Sequence, residues 1–325
     1  MAAKEASRGY TASRAAAGLF DFDFRASLIF TGADRASFLH NLLSNDVISL
    51  RPGGGCYTTL LTQQSKVVAD GNVFCSADSL RFDLDRALKD RAREHLEKFL
   101  VADEVEIDDP SERESVLGIL GPRAADVLRA AGAEPPAGDR DHRETVLGGV
   151  AAWIARVDWS ADPGFQIVVA RTDAASVRAS IVSAGEPLGL VPAERADLEA
   201  LRLEAGIPWP GIDFDETRLV LEAGLERGIH FKKGCYLGQE VVERASARGH
   251  VNRRLVGLWL EGERVPARGA RIVHASDDVG EVTSAAFSPT FARPIALGYV
   301  RREVMEPGSR LTIDGGIAEV RALPF

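Results

Sequence analysis

Apolar positions along the chain change period several times, and each change marks an element. Leu28-Ile29-Phe30 is a short apolar run, and after Gly32-Ala33-Asp34 the positions Phe38, Leu39, Leu42 and Leu43 recur at helical spacing. This predicts a strand and then a helix that stops at Asn45-Asp46. Tyr57 to Thr62 and Lys66 to Phe74 predict two strands around the polar turn Gln63-Gln64-Ser65, and Leu80 to Leu84 a third. From Arg86 to Phe99, Leu88, Ala92, Leu96 and Phe99 share one face, so a helix packs on those strands.

Val116 to Leu120 opens a second unit, in which Gly121-Pro122 places proline at the first position of a helix reaching Ala131. Glu134 to Asp141, with two prolines, predicts a loop. Strands are expected at Val150 to Ala155 and Phe165 to Ala170, then a helix near Asp173 to Ala184. Pro192 introduces another helix that ends at Gly206-Ile207-Pro208. After Arg254 the pattern shifts to six short strand candidates separated by Gly and Pro: Leu255 to Leu260, Arg271 to His274, Val279 to Ser284, Ala296 to Val300, Arg310 to Ile313 and Ala318 to Val320. They predict a C-terminal β-barrel or sandwich.

The chain has 325 residues, a length suited to two or three domains, and its 45% hydrophobic and 27% charged residues predict a stable globular fold. No apolar run is long enough to cross a bilayer. A net charge of −9 (39 basic against 48 acidic residues) argues against a surface built to neutralise phosphates, so no DNA partner is expected and any anion site must be local. The start carries Lys4, Arg8 and Arg14 against Glu5 without the apolar stretch of a secretion signal. Three cysteines, Cys56, Cys75 and Cys235, form no CxxC pair, which excludes a disulfide framework and fits a reducing, cytoplasmic location.

The sharpest local signal is Lys232-Lys233-Gly234-Cys235-Tyr236-Leu237-Gly238-Gln239-Glu240. Two lysines beside Cys235, and a helix predicted from Gln239, would lower the thiol's pKa; a small residue filling a turn reads equally well. Cys56 and Cys75 sit in or beside apolar strands and read as structural. Between Glu226 and Arg254 seven basic residues face three acids, a local excess of +4 suited to an anionic ligand or a solvated face. Glu204 stands in the last helical turn, where the dipole disfavours a carboxylate, so a donor elsewhere is expected to want it. Asp70 lies among Val67, Val68 and Val73 and must be solvated or paired. No metal spacing involves the six histidines, and no Walker loop, GxGxxG or GxSxG occurs. No metal site is expected.

Three stretches carry a resemblance: Lys233 to Glu240, Arg202-Leu203-Glu204-Ala205-Gly206-Ile207-Pro208, and Gly211-Ile212-Asp213-Phe214-Asp215-Glu216-Thr217. Lys66 to Asp70, Gly249 to Leu255 and Gly280 to Pro289 support it. The chain resembles the YgfZ branch of the aminomethyltransferase (glycine-cleavage T-protein) superfamily, which includes mitochondrial iron–sulfur assembly relatives. The resemblance implies an α+β fold of three domains around a central opening, two α+β domains and a C-terminal antiparallel β-barrel. Their expected limits are 1–110 for the N-terminal α+β region, which shares a discontinuous domain with 190–245, then 111–190 for the second, ferredoxin-like α+β domain and 250–325 for the barrel. It also implies tetrahydrofolate as cofactor, with Asp70 and Glu204 as its carboxylate ligands and Lys233, Tyr236, Arg253 and Arg254 nearby.

The leading expectation from the resemblance is a tetrahydrofolate-binding protein that serves iron–sulfur client proteins, with Cys235 carrying thiol chemistry. Radical-SAM tRNA methylthiotransferases would be among the clients, so tRNA is met only indirectly or weakly. The alternative is aminomethyl transfer from a lipoyl carrier protein to tetrahydrofolate. A non-catalytic scaffold that uses the basic segment is the third.

Overall fold

The computed structural model describes residues 6–247 and 251–325. Two sheets and a closed barrel make up the α+β architecture. The five-stranded sheet is antiparallel, in the order Gly55–Leu61, Val67–Cys75, Leu80–Asp85, Arg25–Thr31, Glu106–Asp108. Its outer face carries the helices Arg35–Leu42 and Lys89–Glu97, which bury Phe38, Leu39, Ala92 and Leu96 against it. The expected helix from Arg86 begins as a single 3-10 turn, Arg86–Leu88, before Lys89.

The six-stranded sheet runs Leu190–Pro192, Ala17–Asp21, Glu114–Leu120, Gly164–Ala170, Val150–Arg156, His142–Leu147. Residues 1–110 therefore supply strands to both sheets. Alternation along Ala17–Asp21 buries the sheet on both sides. Ala17 and Leu19 face the helices Ala124–Ala130 and Ala174–Gly185, whereas Phe20 joins Phe74 of the other sheet and Leu198 and Leu201 of helix Arg195–Glu204. The helix after Gly121-Pro122 begins at Ala124, so Pro122 lies in the turn before it and not at its first position. Gly121, at φ +133°, lets the chain pass Ala16, whose carbonyl oxygen would stand 2.5 Å from an added Cβ. The N-terminal helix Arg8–Ala15 is part of this core through Tyr10 and Ala12.

A polar pin joins the sheets. Buried Asp83 accepts from Arg25 (Nη2, 2.6 Å), from Asn72 (3.3 Å) and, across the sheets, from Gln166 (2.8 Å). A buried carboxylate survives only when paired and hydrogen-bonded in this way.

All six C-terminal strand candidates form, as Arg253–Leu260, Arg271–His274, Asp277–Ser288, Arg293–Arg301, Arg310–Ile313 and Gly316–Arg321, and they close into an antiparallel barrel. Val256, Leu258 and Leu260 point inward with period two, while Leu255, Leu297 and Tyr299 face Leu203 of helix Arg195–Glu204. That helix ends as its sequence predicts. Gly206, at φ +67°, donates to the Leu203 carbonyl and Ile207 to that of Arg202, the paired bonds that let glycine terminate a helix. Among the described residues no helix is long and apolar enough to cross a membrane.

Candidate functional site

The hairpin register builds the site's floor. Thr59 pairs with Asp70 and Tyr57 with Asn72, so Tyr57 and Asp70 are diagonal neighbours on one face of the five-stranded sheet. The Tyr57 hydroxyl donates to Asp70 Oδ2 at 2.7 Å. The other Asp70 oxygen has no hydrogen-bond partner among the described residues. Burial pushes the Asp70 pKa up, partly offset by the Tyr57 hydrogen bond and by Arg25 and Arg227. Tyr57 is raised well above the ordinary tyrosine value by burial and by the neighbouring carboxylate, so it remains a donor.

Above this pair the segment after helix Arg195–Glu204 and the loop after Val157 bring aromatic walls. Phe24 stands 5.7 Å edge-on to Trp159 and 5.5 Å from Trp209. Both tryptophans line a neck that also holds Asp70, and both are buried with no hydrogen-bond partner for the indole N–H among the described residues. Trp209 is fixed from behind by Asp213, which accepts its backbone N–H at 2.9 Å.

The neck has a free volume of about 40 Å³ and lies between two larger chambers. One, of about 520 Å³, is bounded by Asn45, Cys56, Tyr57, Arg140, Asp158 and Arg227. The other, of about 530 Å³, lies towards the barrel and includes Pro208, Arg227, Arg254, Leu255 and Leu323. Arg227 borders all three spaces. Its guanidinium lies 4.5 Å from the Tyr57 ring centre, and that of Arg140 lies 5.6 Å from it. Burial raises the Cys56 thiol to about 12, which keeps it protonated and inert at neutral pH.

The residues expected from sequence do not all meet here. Asp70 borders the neck and Arg254 the barrel-side chamber, where it pairs with Glu226 at 2.7 Å. Glu204 lies elsewhere. It is buried, accepts from Tyr10 Oη at 2.7 Å and from Ser288 and Thr290, and so ties the N-terminal helix to the barrel. Those donors are what wants a carboxylate at that helix end. Tyr236 is buried in an apolar cluster with Val220 and Val242, and burial raises it to about 12. Arg253 is exposed at the start of the barrel and borders none of the three spaces.

The setting expected for Cys235 is corrected. The thiol is exposed, but Lys233 turns inward and its ammonium donates to the carbonyls of His40, Leu43 (2.6 Å) and Asn45 (2.9 Å). The end of helix Arg35–Leu42 leaves carbonyls without intrahelical partners, and a cation satisfies them better than it serves a solvent-side thiol. Burial lowers Lys233 to about 8, so it remains charged at pH 7 and keeps donating. Lys233→Met should cost about 1–3 kcal/mol, read from the urea unfolding midpoint, because the acceptors stay buried without a donor. Part of the basic excess around it is also paired: Arg244 with Glu240 and Arg254 with Glu226. Arg248, Gly249 and His250 lie outside the described residues. Among those described, no group of three or more His, Cys, Asp or Glu side chains is placed to hold a metal ion.

Sequence reasoning missed Tyr57, Trp159, Trp209 and Arg227 as site residues. Trp209 sits between Pro208 and Pro210 in a segment whose position depends on a remote carboxylate, and Arg227 is one basic residue among seven.

Comparison with known proteins agrees with the architecture. Residues 2–233 match the GCVT N-terminal domain, and 253–324 match the glycine cleavage T-protein C-terminal barrel domain. The chain belongs to the aminomethyltransferase (glycine-cleavage T-protein) superfamily. It is 32% identical to an aminomethyltransferase of Streptomyces coelicolor, over 97% of this chain and 88% of that one. A Nostoc aminomethyltransferase is 30% identical, over 94% and 83%. The crystal structure of glycine cleavage system aminomethyltransferase T from Bartonella henselae has the same fold, with a TM-score of 0.89, 24% identity and coverage of 98% and 88%. These names favour the transferase alternative over the iron–sulfur expectation, for which they offer no support.

Proposed function

We propose that the protein binds tetrahydrofolate and transfers an aminomethyl-derived one-carbon unit to it from a lipoyl carrier protein. The observation that carries the reading is Asp70, a half-buried carboxylate with one free oxygen, standing beside two tryptophans whose indole N–H groups lack partners. A reduced pterin offers N–H donors at its reacting nitrogens for the carboxylate and a face for packing against the aromatic walls. The residues present fit that group. The neck is too small for a bicyclic ring as it stands, whereas the adjoining chamber, which shares Tyr57, Arg140, Asp158 and Arg227, is large enough. Asp70 would hold the ring and, with its raised pKa, exchange a proton with it near the reacting nitrogens.

The test is an anaerobic calorimetric titration of tetrahydrofolate into the protein. Saturable binding is expected, and no heat at any accessible concentration would overturn the reading. Its pH dependence follows from Asp70. The ionised carboxylate is the acceptor, and burial displaces its ionisation above the ordinary value of 3.8. Affinity should therefore be full well above that raised value and fall as pH drops through it, before an exposed aspartate would protonate. Asp70→Asn should flatten this limb of the profile.

A further inference from the structure

The cavities contain several cations, and their pairing separates one from the rest. Arg25 is held by Asp83 at 2.6 Å, Arg140 by Asp139 and by Asn72 Oδ1, Arg254 by Glu226 and Arg321 by Glu319. Of the arginines bordering the neck and its two chambers, Arg227 is the one with no carboxylate partner among the described residues. It is also exposed, and it borders all three spaces.

Its surroundings fix where that charge is presented. Gly228 packs against Tyr57 and Thr59, with Tyr57 Cε1 only 3.1 Å from the position of an added Cβ, and its carbonyl accepts from Ser44 at 2.6 Å. The backbone beside Arg227 is thus anchored on the sheet while the guanidinium lies over the Tyr57 ring. Arg140, on the same ring, has a left-handed backbone at φ +57°, but its guanidinium is already engaged. Asp158 is occupied too, by the Gly164 N–H at 2.9 Å.

We propose that Arg227 is the specificity residue that reads a carboxylate on the far end of a ligand whose ring packs beside Tyr57 and Asp70. This rests on the folate reading and deepens it: the anion is the glutamyl tail, and Arg227 decides whether the site prefers an anionic ligand to a neutral one. A guanidinium already stacked on an aromatic ring loses little freedom on meeting a carboxylate, and its fork accepts that group with two hydrogen bonds.

The experiment compares 5-formyltetrahydrofolate with its dimethyl ester, which lacks only the two negative charges, by calorimetry on the wild type, Arg227→Leu and Arg227→Lys. The wild type should bind the acid about ten- to a hundredfold more tightly than the ester, as expected for a charge-assisted hydrogen bond. Arg227→Leu should bind both at the wild-type ester's affinity, and Arg227→Lys should retain part of the preference. A Leu variant that keeps the full preference overturns the proposal. So does equal loss for acid and ester, which would make Arg227 a support for Tyr57 only. If the wild type binds neither compound, the folate reading itself fails; that result appears before any variant is made.

Discussion

Asp70→Asn should lower the rate of aminomethyl transfer by about 10²–10⁴-fold without destabilising the protein. Asparagine keeps the side-chain shape and an acceptor for the Tyr57 hydroxyl, so the 2.7 Å contact survives. What it loses is charge and the ability to take up or release a proton. The stability half of the prediction follows from the sign of the pKa shift. Burial raises Asp70 in the folded protein, so the fold favours the neutral form, and any stability from that preference is lost as pH rises through the raised value. At pH 7 the charged form is therefore a small burden, and the uncharged variant should unfold at the same denaturant concentration or a higher one. A variant that lost turnover only because it was unfolded would fail this second measurement.

Asp213→Ala should be the most destabilising single change, by about 3–5 kcal/mol in chemical unfolding. Asp213 is buried and accepts four hydrogen bonds: from Arg202 (2.5 Å), the Trp209 N–H (2.9 Å), Thr283 (2.5 Å) and Ser284 (2.6 Å). These donors come from helix Arg195–Glu204, the neck and the barrel strand Asp277–Ser288. Removing the carboxylate leaves the fully buried Arg202 with Glu199 as its remaining acid partner. Trp209 would lose its tether as well, so ligand affinity should fall in whatever fraction still folds. A loss below about 1 kcal/mol would mean that the network relaxes without cost, contrary to the usual penalty for an uncompensated buried charge.

Elements with a strong local period were legible in the sequence. The barrel strands alternate between short glycine and proline turns, and Gly206 marks the end of its helix because a left-handed backbone is needed there. His142–Leu147 was missed because it is an edge strand with exposed Arg143 and Glu144, so it shows no apolar stripe. Ala17–Asp21 is only five residues long, and its partner Glu114–Leu120 lies nearly a hundred residues away, a pairing that no local pattern encodes.

The site divides the same way. Asp70 stands out in sequence because a carboxylate amid valines needs a reason, and the reason is Tyr57 across the hairpin. Glu204 stands out for an equally sound reason, its place at a helix end, yet its donors come from Tyr10 and the barrel. Lys233 shows the limit most clearly. Its neighbours in sequence suggested a thiol, whereas its neighbours in space are three carbonyls. Charge alone cannot separate Arg227 from the six other basic residues around it; its place over the Tyr57 ring and beside all three spaces does.

The most direct test of the central claim is an anaerobic single-turnover reaction of the protein with tetrahydrofolate and a carrier protein bearing an aminomethyl group on its dihydrolipoyl sulfur. The methylene carbon would leave sulfur for the two folate nitrogens, ammonia would depart, and the sulfur would be left as a thiol. The account predicts methylenetetrahydrofolate and ammonia in equal amounts, formed far faster than in a protein-free blank and lost with Asp70→Asn. Product at the blank rate, with tetrahydrofolate demonstrably bound, would contradict the transferase assignment.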